Sequence, residues 1–220
     1  MFTGSGSTWS RQATLIGPAG VYGGDGFANA VALDNGTALL GAPDSNSQAG
    51  AAYIFQRTSN DQWTPRAWMA ASDAAPGAQF GWSVALAGSR ALIGAVFAHS
   101  TGAAYVFAPI TGGWAQQAEL MAPGAAPGDN FGTAVAMSAN SKTGALTALV
   151  GANQQSTSPG TAYVYTSSGT QWSRGAKLTA SDAAAGNSSG SAVSIYGTTG
   201  LIGSPGNNSA TGAAYVFTNL

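Results

Sequence analysis

The chain has 220 residues, of which 45% are hydrophobic and only 7% charged, with 32 glycines, 9 prolines, no cysteine and a formal net charge of −1. So much apolar content with so little charge excludes a disordered chain, and seven Lys and Arg against eight Asp and Glu leave no surplus to neutralise a run of phosphates, which excludes general nucleic-acid binding. Disulfides and cysteine-held metals are ruled out, and the longest apolar run, residues 91–98, is far short of the roughly 18 that a membrane-spanning helix needs.

The opening, MFTGSGSTW, has neither the basic n-region nor the apolar h-region of a secretion signal. The first element runs from Trp9 to Leu15, and FANAVAL from Phe27, ALLGAP at 38–43 and GAAYIF at 50–55 follow it. The same four segments then return in the same order. They are Trp63 to Met69, FGWSVAL from Phe80, ALIGAV at 91–96 and GAAYVF at 102–107 in the second copy. The third has Trp114 to Leu120, FGTAVAM from Phe131, ALVGAN at 148–153 and GTAYVY at 160–165. The fourth has Trp172 to Leu178, SGSAVSI from Ser189, LIGSP at 201–205 and GAAYVF at 212–217. Trp to the Phe position takes 18, 17, 17 and 17 residues, and Phe to the Gly of Gly-Ala takes 14, 14, 20 and 14, the outlier being a six-residue insertion around 142–146.

Large and small residues alternate within the segments. Phe80, Trp82, Val84 and Leu86 are separated by Gly81, Ser83 and Ala85, which is the period of a strand with two unlike faces. Turn residues collect between segments, as in SDAAPGAQ at 72–79 and APGAAPGDN at 122–130. We therefore expect an all-β protein with four strands per unit and sixteen in all. A repeat of about 52 residues giving four antiparallel strands has the size of a propeller blade, so the expected fold is a β-propeller, with a solenoid or β-sandwich as the alternative. Residues 1–220 form one domain in this reading, with repeats at about 17–69, 70–120, 121–178 and 179–220 and residues 1–16 as a closing strand.

Phe80-Gly81, Phe131-Gly132 and Gly41-Ala42-Pro43, with ASDAAPGAQFGWSVAL at 71–86 and ASDAAAGNSSGSAVSI at 180–195, resemble the FG-GAP repeat of integrin α-subunit propellers and many bacterial surface proteins. Departures are Phe27-Ala28, Ser189-Gly190 and the second halves Gly94-Ala95-Val96, Gly151-Ala152-Asn153 and Gly203-Ser204-Pro205. The resemblance implies an innermost Phe-Gly strand and an outermost Trp strand, so the Trp9 to Leu15 strand is expected to complete the last blade, within one chain or between two. A monomeric ring and a two-chain ring both follow from that count. The resemblance also implies an extracellular or cell-surface location.

Catalytic chemistry has little material, since His99 is the only histidine and Glu119 the only glutamate. His99 reads as a solvated loop residue. Asp25, Asp73, Asp129 and Asp182 lie in turns ahead of the Phe-Gly strands, where a carboxylate bonds nearby amides. The loops where integrin-type repeats hold calcium carry one aspartate, Asp34, too few for an ion that takes six to eight oxygens. No enzyme activity, metal or cofactor is expected. What remains is binding by the loops between second and third strands, with Asp44, Asn46, Phe97, His99, Gln154, Gln155, Asn207 and Asn208 as candidate ligand contacts and Tyr22 as a further aromatic platform. The expected function is a non-enzymatic binding, adhesion or structural module with a protein or glycan ligand, the alternative being a lectin-like propeller.

Overall fold

The computed structural model describes every residue except Gly6 and residues 154–158, and residues 2–5 by their backbone alone. A hairpin of β1 (Phe2–Ser5) and β2 (Thr8–Arg11) opens the chain. Three four-stranded antiparallel meanders follow. The first contains β3 (Val31–Asp34), β4 (Thr37–Ala42), β5 (Ala51–Arg57) and β6 (Trp63–Met69). The second contains β7 (Phe80–Ala87), β8 (Arg90–Ala95), β9 (Ala103–Ile110) and β10 (Gly113–Leu120). The third contains β11 (Phe131–Ala139), β12 (Leu146–Ala152), β13 (Thr161–Ser168) and β14 (Gln171–Leu178). The last sheet has three strands, β15 (Ala192–Tyr196), β16 (Thr199–Ser204) and β17 (Ala213–Phe217). The all-β expectation and the four repeated sheets are thus present, each sheet ordered as its segments occur in the chain. The six-residue insertion is a turn between β11 and β12 in which Asn140 Oδ1 accepts from the N–H groups of Lys142 (2.9 Å) and Thr143 (3.2 Å).

The repeated glycines are where one sheet meets the next. In β7 the register runs Phe80↔Ala95 and then Ser83↔Gly94, so Gly81 and Trp82 bulge out of the ladder. Gly81 has φ +96°, a conformation that L side chains rarely adopt, and it faces Gly41 of the preceding sheet. A Cβ on Gly41 would come within 3.0 Å of the Gly81 carbonyl, a distance real Cβ atoms do not show. Gly94 meets Gly132 in the same way, and Gly151 meets Gly190. Both glycines of the signature are thus explained by backbone against backbone, at three joints between four sheets.

Apolar cores lie between the sheets. One joins the first two, around Leu39, Ile54, Phe80, Ile93 and Tyr105; a second joins the next two, around Leu92, Val106, Phe131, Val150 and Tyr165. A smaller one around Leu149, Val164 and Ile202 holds the last sheet. The signature Phe packs on the Tyr and Phe of its own third strand, with Phe80 5.6 Å from Tyr105 and 5.7 Å from Phe107, centroid to centroid. In the last sheet Ser189 takes that place and its Oγ lies 2.7 Å from Ser204 Oγ, which donates to the Asn187 carbonyl at 3.0 Å. Two hydroxyls that satisfy each other replace a ring that would otherwise fill the position.

Within one chain the expected closing strand pairs elsewhere. Among the described residues the last sheet has no fourth strand, and Thr8–Arg11 pairs with Phe2–Ser5 instead. That partner lies a few residues away, so pairing with it closes a far shorter loop than reaching residue 213 would. The segment also lacks the burial of its counterparts: Trp9 is 64% exposed where Trp63, Trp114 and Trp172 are half-buried, and Leu15 is half-buried where Met69, Leu120 and Leu178 are buried. Leu15 packs instead on the first sheet, in a cluster with Leu40, Phe55 and Phe27. Among the described residues, the extensive inter-sheet packing that joins first to second, second to third and third to fourth has no counterpart of similar extent joining fourth to first. Val31 and Leu33 on the first sheet and Tyr196 and Val216 on the last are left exposed.

Candidate functional site

The loops expected to bind a ligand end at a glycine of positive φ, at Gly50, Gly102, Gly160 and Gly212, and those before Gly50, Gly102 and Gly212 are tight turns. Three of them are stitched to the next sheet. The Phe80 N–H donates to the Ala49 carbonyl (3.1 Å), the Phe131 N–H to Thr101 (2.9 Å) and the Ser189 N–H to Pro159 (2.8 Å), and each glycine makes an isolated parallel bridge to the same residue. A second set ties three of the turns to their own repeats: the N–H groups of Asp44, Phe97 and Gly206 donate to the carbonyls of Asp25, Ala78 and Asn187. The backbone of these loops is therefore committed to holding neighbouring repeats in register, and only outward side chains are free to meet a partner.

Of the expected contacts, Asn46 and Asn208 occupy the left-handed region, φ +53° and +50°, and both are exposed. Asparagine tolerates that conformation better than most residues, so its role in the turn needs no ligand. Asp44 accepts from Gln79 Nε2 at 3.2 Å, within the joint. Asn207 is buried and donates to Asp182 Oδ2 (3.1 Å) and to the Tyr215 hydroxyl (2.7 Å). Gln154 and Gln155 lie outside the described residues. Phe97, 51% exposed, stands beside Trp82 with ring centroids 6.5 Å apart, the one aromatic pair on this side that faces solvent among the described residues. Tyr22 is exposed as expected.

His99 differs from expectation. Its Nε2 lies 2.8 Å from Asp73 Oδ2 and 2.9 Å from Glu119 Oε1, and the Tyr105 hydroxyl donates to the same Asp73 oxygen at 3.1 Å. Burial, with Asp73 and Glu119 nearby, pushes the Tyr105 hydroxyl well above the ordinary tyrosine range. Asp73, His99 and Glu119 are the one group of histidine and carboxylates among the described residues whose ligand atoms all lie within 4.8 Å of one another. Two single-copy residues twenty positions apart were visible in the sequence, but only the pairing of Tyr105 with Glu119 across β9 and β10 brings them together.

The four aspartates fall into two classes. Asp25 and Asp129 accept from amides three residues back, of Tyr22 and Ala126 (2.9 Å each), as a turn role requires. Asp73 and Asp182 instead take the hydroxyls of Tyr105 and Tyr215, and Tyr215 followed by Asn207 holds the Asp182 carboxyl below its usual range. The loops that would hold calcium are short hairpin turns, with Asn35 and Gly36 both at positive φ between β3 and β4.

A second concavity, missed in the sequence, lies at the hairpin end between the first two sheets. It has a volume of about 480 Å³ and is lined by Asp34, Asn35, Gln56, Arg66, Ser89 and Trp114, among others. The signal for it was spread over seven strands and their turns, so no single segment revealed it.

The FG-GAP repeat profile matches residues 9–55, 63–107, 114–165 and 172–217, each match opening on one of the repeat tryptophans. The chain belongs to the FG-GAP repeat family. The observed sheets are FG-GAP blades in all but the fourth strand of the last, and the three Gly–Gly joints are the structural content of the signature from which the family is named. No curated protein matches the chain closely enough to serve as a relative.

Proposed function

We propose that this FG-GAP chain is a non-enzymatic binding or adhesion module, working outside the cell or on its surface, that presents the outward side chains of its stitched turns to a protein partner. The observation that carries the reading is the use of the turn backbone for blade-to-blade bonds, which fixes Asn46 and Phe97 on a rigid frame. Exposed aromatics on such a frame lose little entropy on contact, and the Phe97 and Trp82 pair supplies the apolar centre that protein recognition favours. The long separation between joined segments makes the frame cooperative, since each blade completes the core of its neighbour.

Blade closure follows from one residue. Gly203 and Gly212 on the last blade correspond to Gly151 and Gly160 on the third, yet a Cβ on either would meet nothing nearer than 3.4 Å. That joint is unmade. The first blade carries Ala28 where the joint uses glycine, so its Cβ would fall where Gly81, Gly132 and Gly190 leave no room. Closure through the same joint, in one chain or between two, is disfavoured, and the working form is an open row of blades.

The lectin-like reading is favoured by the hairpin-end groove, where Arg66, Asp34, Asn35 and Gln56 supply hydrogen bonds beside Trp114, a combination suited to a sugar ring. The two readings are tested together by binding to immobilised extracellular-matrix proteins and to a glycan array, with Phe97→Ala and Arg66→Ala variants. Protein binding that Phe97→Ala weakens at least tenfold and Arg66→Ala leaves unchanged is expected. Glycan binding lost only with Arg66→Ala would favour the lectin, and binding indifferent to both substitutions would refute both readings.

A further inference from the structure

We propose that Asp73, His99 and Glu119 form a site for a divalent d-block cation of the zinc class. The three side chains come from different parts of the second repeat. Asp73 lies in the turn before β7, His99 in the turn between β8 and β9, and Glu119 on the outer strand β10, directly across from Tyr105. They converge at one point, with two carboxylate oxygens at 2.8 and 2.9 Å from a single ring nitrogen.

Proton counting shows what the arrangement lacks. A ring nitrogen carries at most one hydrogen, which can be directed well at one oxygen only. The Tyr105 hydroxyl gives its hydrogen to Asp73 Oδ2 and has none left for Glu119. Among the described residues neither carboxylate is paired with a lysine or arginine, so even a protonated imidazole leaves the group with surplus negative charge. A dication bound by the three atoms cancels that surplus without needing any hydrogen between them. Ligands held at the tetrahedral angle on zinc bonds of about 2.1 Å lie about 3.4 Å apart, so the side chains need to part by only about 0.5 Å to admit the ion.

The other blades isolate what is special here. In the last blade the equivalent Asp182 and Tyr215 are joined by Asn207, whose amide supplies two hydrogens and closes the network with neutral groups. The second blade keeps the Asp–Tyr pair and adds the chain's only histidine and only glutamate. The pair is therefore part of the blade, and the added residues convert a closed network into a donor set of one nitrogen and two carboxylates. Imidazole with carboxylate suits zinc, whereas calcium takes six to eight oxygens. Side-chain exposures of 45%, 33% and 28% for His99, Asp73 and Glu119 leave the point open to solvent, so water completes the coordination, and Tyr105 orients Asp73 from behind.

The test is calorimetric titration of tag-free, metal-stripped protein with ZnCl₂, read alongside the imidazole ¹⁵N resonances, which in this chain belong to His99 alone. One zinc per chain is expected, with a shift of the His99 Nε2 resonance that saturates at that ratio. His99→Gln should abolish binding and Glu119→Gln should weaken it at least tenfold, with circular dichroism confirming that both fold, while Asp182→Asn should leave it unchanged. No binding at millimolar zinc, binding that survives His99→Gln, or displacement of zinc by an equal concentration of calcium would each overturn the proposal.

Discussion

Replacing Gly94 by alanine should be far more damaging than the same change at Gly203, although both are the glycine of the second half of the signature. At Gly94 the new Cβ would fall within 3.0 Å of the Gly132 carbonyl oxygen of the next blade and of Ser83 Oγ. Neither can retreat freely, because one is backbone and the other donates to that same carbonyl at 2.7 Å. Overpacking of this kind costs about 1–3 kcal/mol, and losing the serine bond about 1 more, giving about 3 kcal/mol in total. For a domain of this length each kcal/mol moves Tm by about 2–4 °C, so a fall of about 6–12 °C is expected by differential scanning calorimetry. At Gly203 the nearest atom to an added Cβ is Ala192 Cβ at 3.4 Å, an ordinary contact, and Tm should move by less than about 2 °C. Gly94 has no positive φ, so backbone strain cannot account for the contrast. Equal shifts at the two positions would refute the claim that these glycines exist for the joint between blades.

Deleting residues 1–12 removes the hairpin in which β1 pairs with β2, with an exposed Trp9, and should lower Tm by less than about 2 °C while leaving the chain monomeric by light scattering. Burial holds the hydroxyls of Tyr105 above the tyrosine range and of Tyr165 at about 12, so the folded state favours their neutral form. Their contribution is complete below pH 10, the ordinary value, and is lost as pH rises beyond it; Tm should fall above pH 10, less steeply in Tyr105→Phe. The opposite sign holds for Asp182, whose lowered pKa contributes stability above its ordinary value of 3.8 that disappears as pH falls through the depressed one. An acid titration of Asp182→Asn followed by circular dichroism should therefore show a shallower loss of structure than the parent.

The strands were legible because alternation and repetition agree: the segments opening at Phe80 and Phe131 begin β7 and β11. The meander order followed from short connections. Less legible was the first repeat, where β3 starts at Val31 rather than Phe27, since Ala28 lies at φ +66° outside the ladder. The in-chain pairing of the first strand is not legible, because counting segments says nothing about which edge a strand meets. Trp9 shares the spacing of Trp63, Trp114 and Trp172, but its neighbours Thr8, Ser10 and Arg11 give it no buried face. Turn residues such as Asn207 looked like ligand contacts because polarity in a loop is the same whether it faces water or a buried partner. The His99 cluster required tertiary knowledge of a different kind, since three groups from three elements meet only after the blade has folded.

The central structural claim is an open row of four blades held at three joints, and solution scattering combined with light-scattering mass tests it most directly. The expected result is the mass of one chain and a distance distribution extended along the row, without the central minimum of a ring. A mass of two chains with a ring-like profile, or one chain with the compact profile of a closed ring, would contradict it.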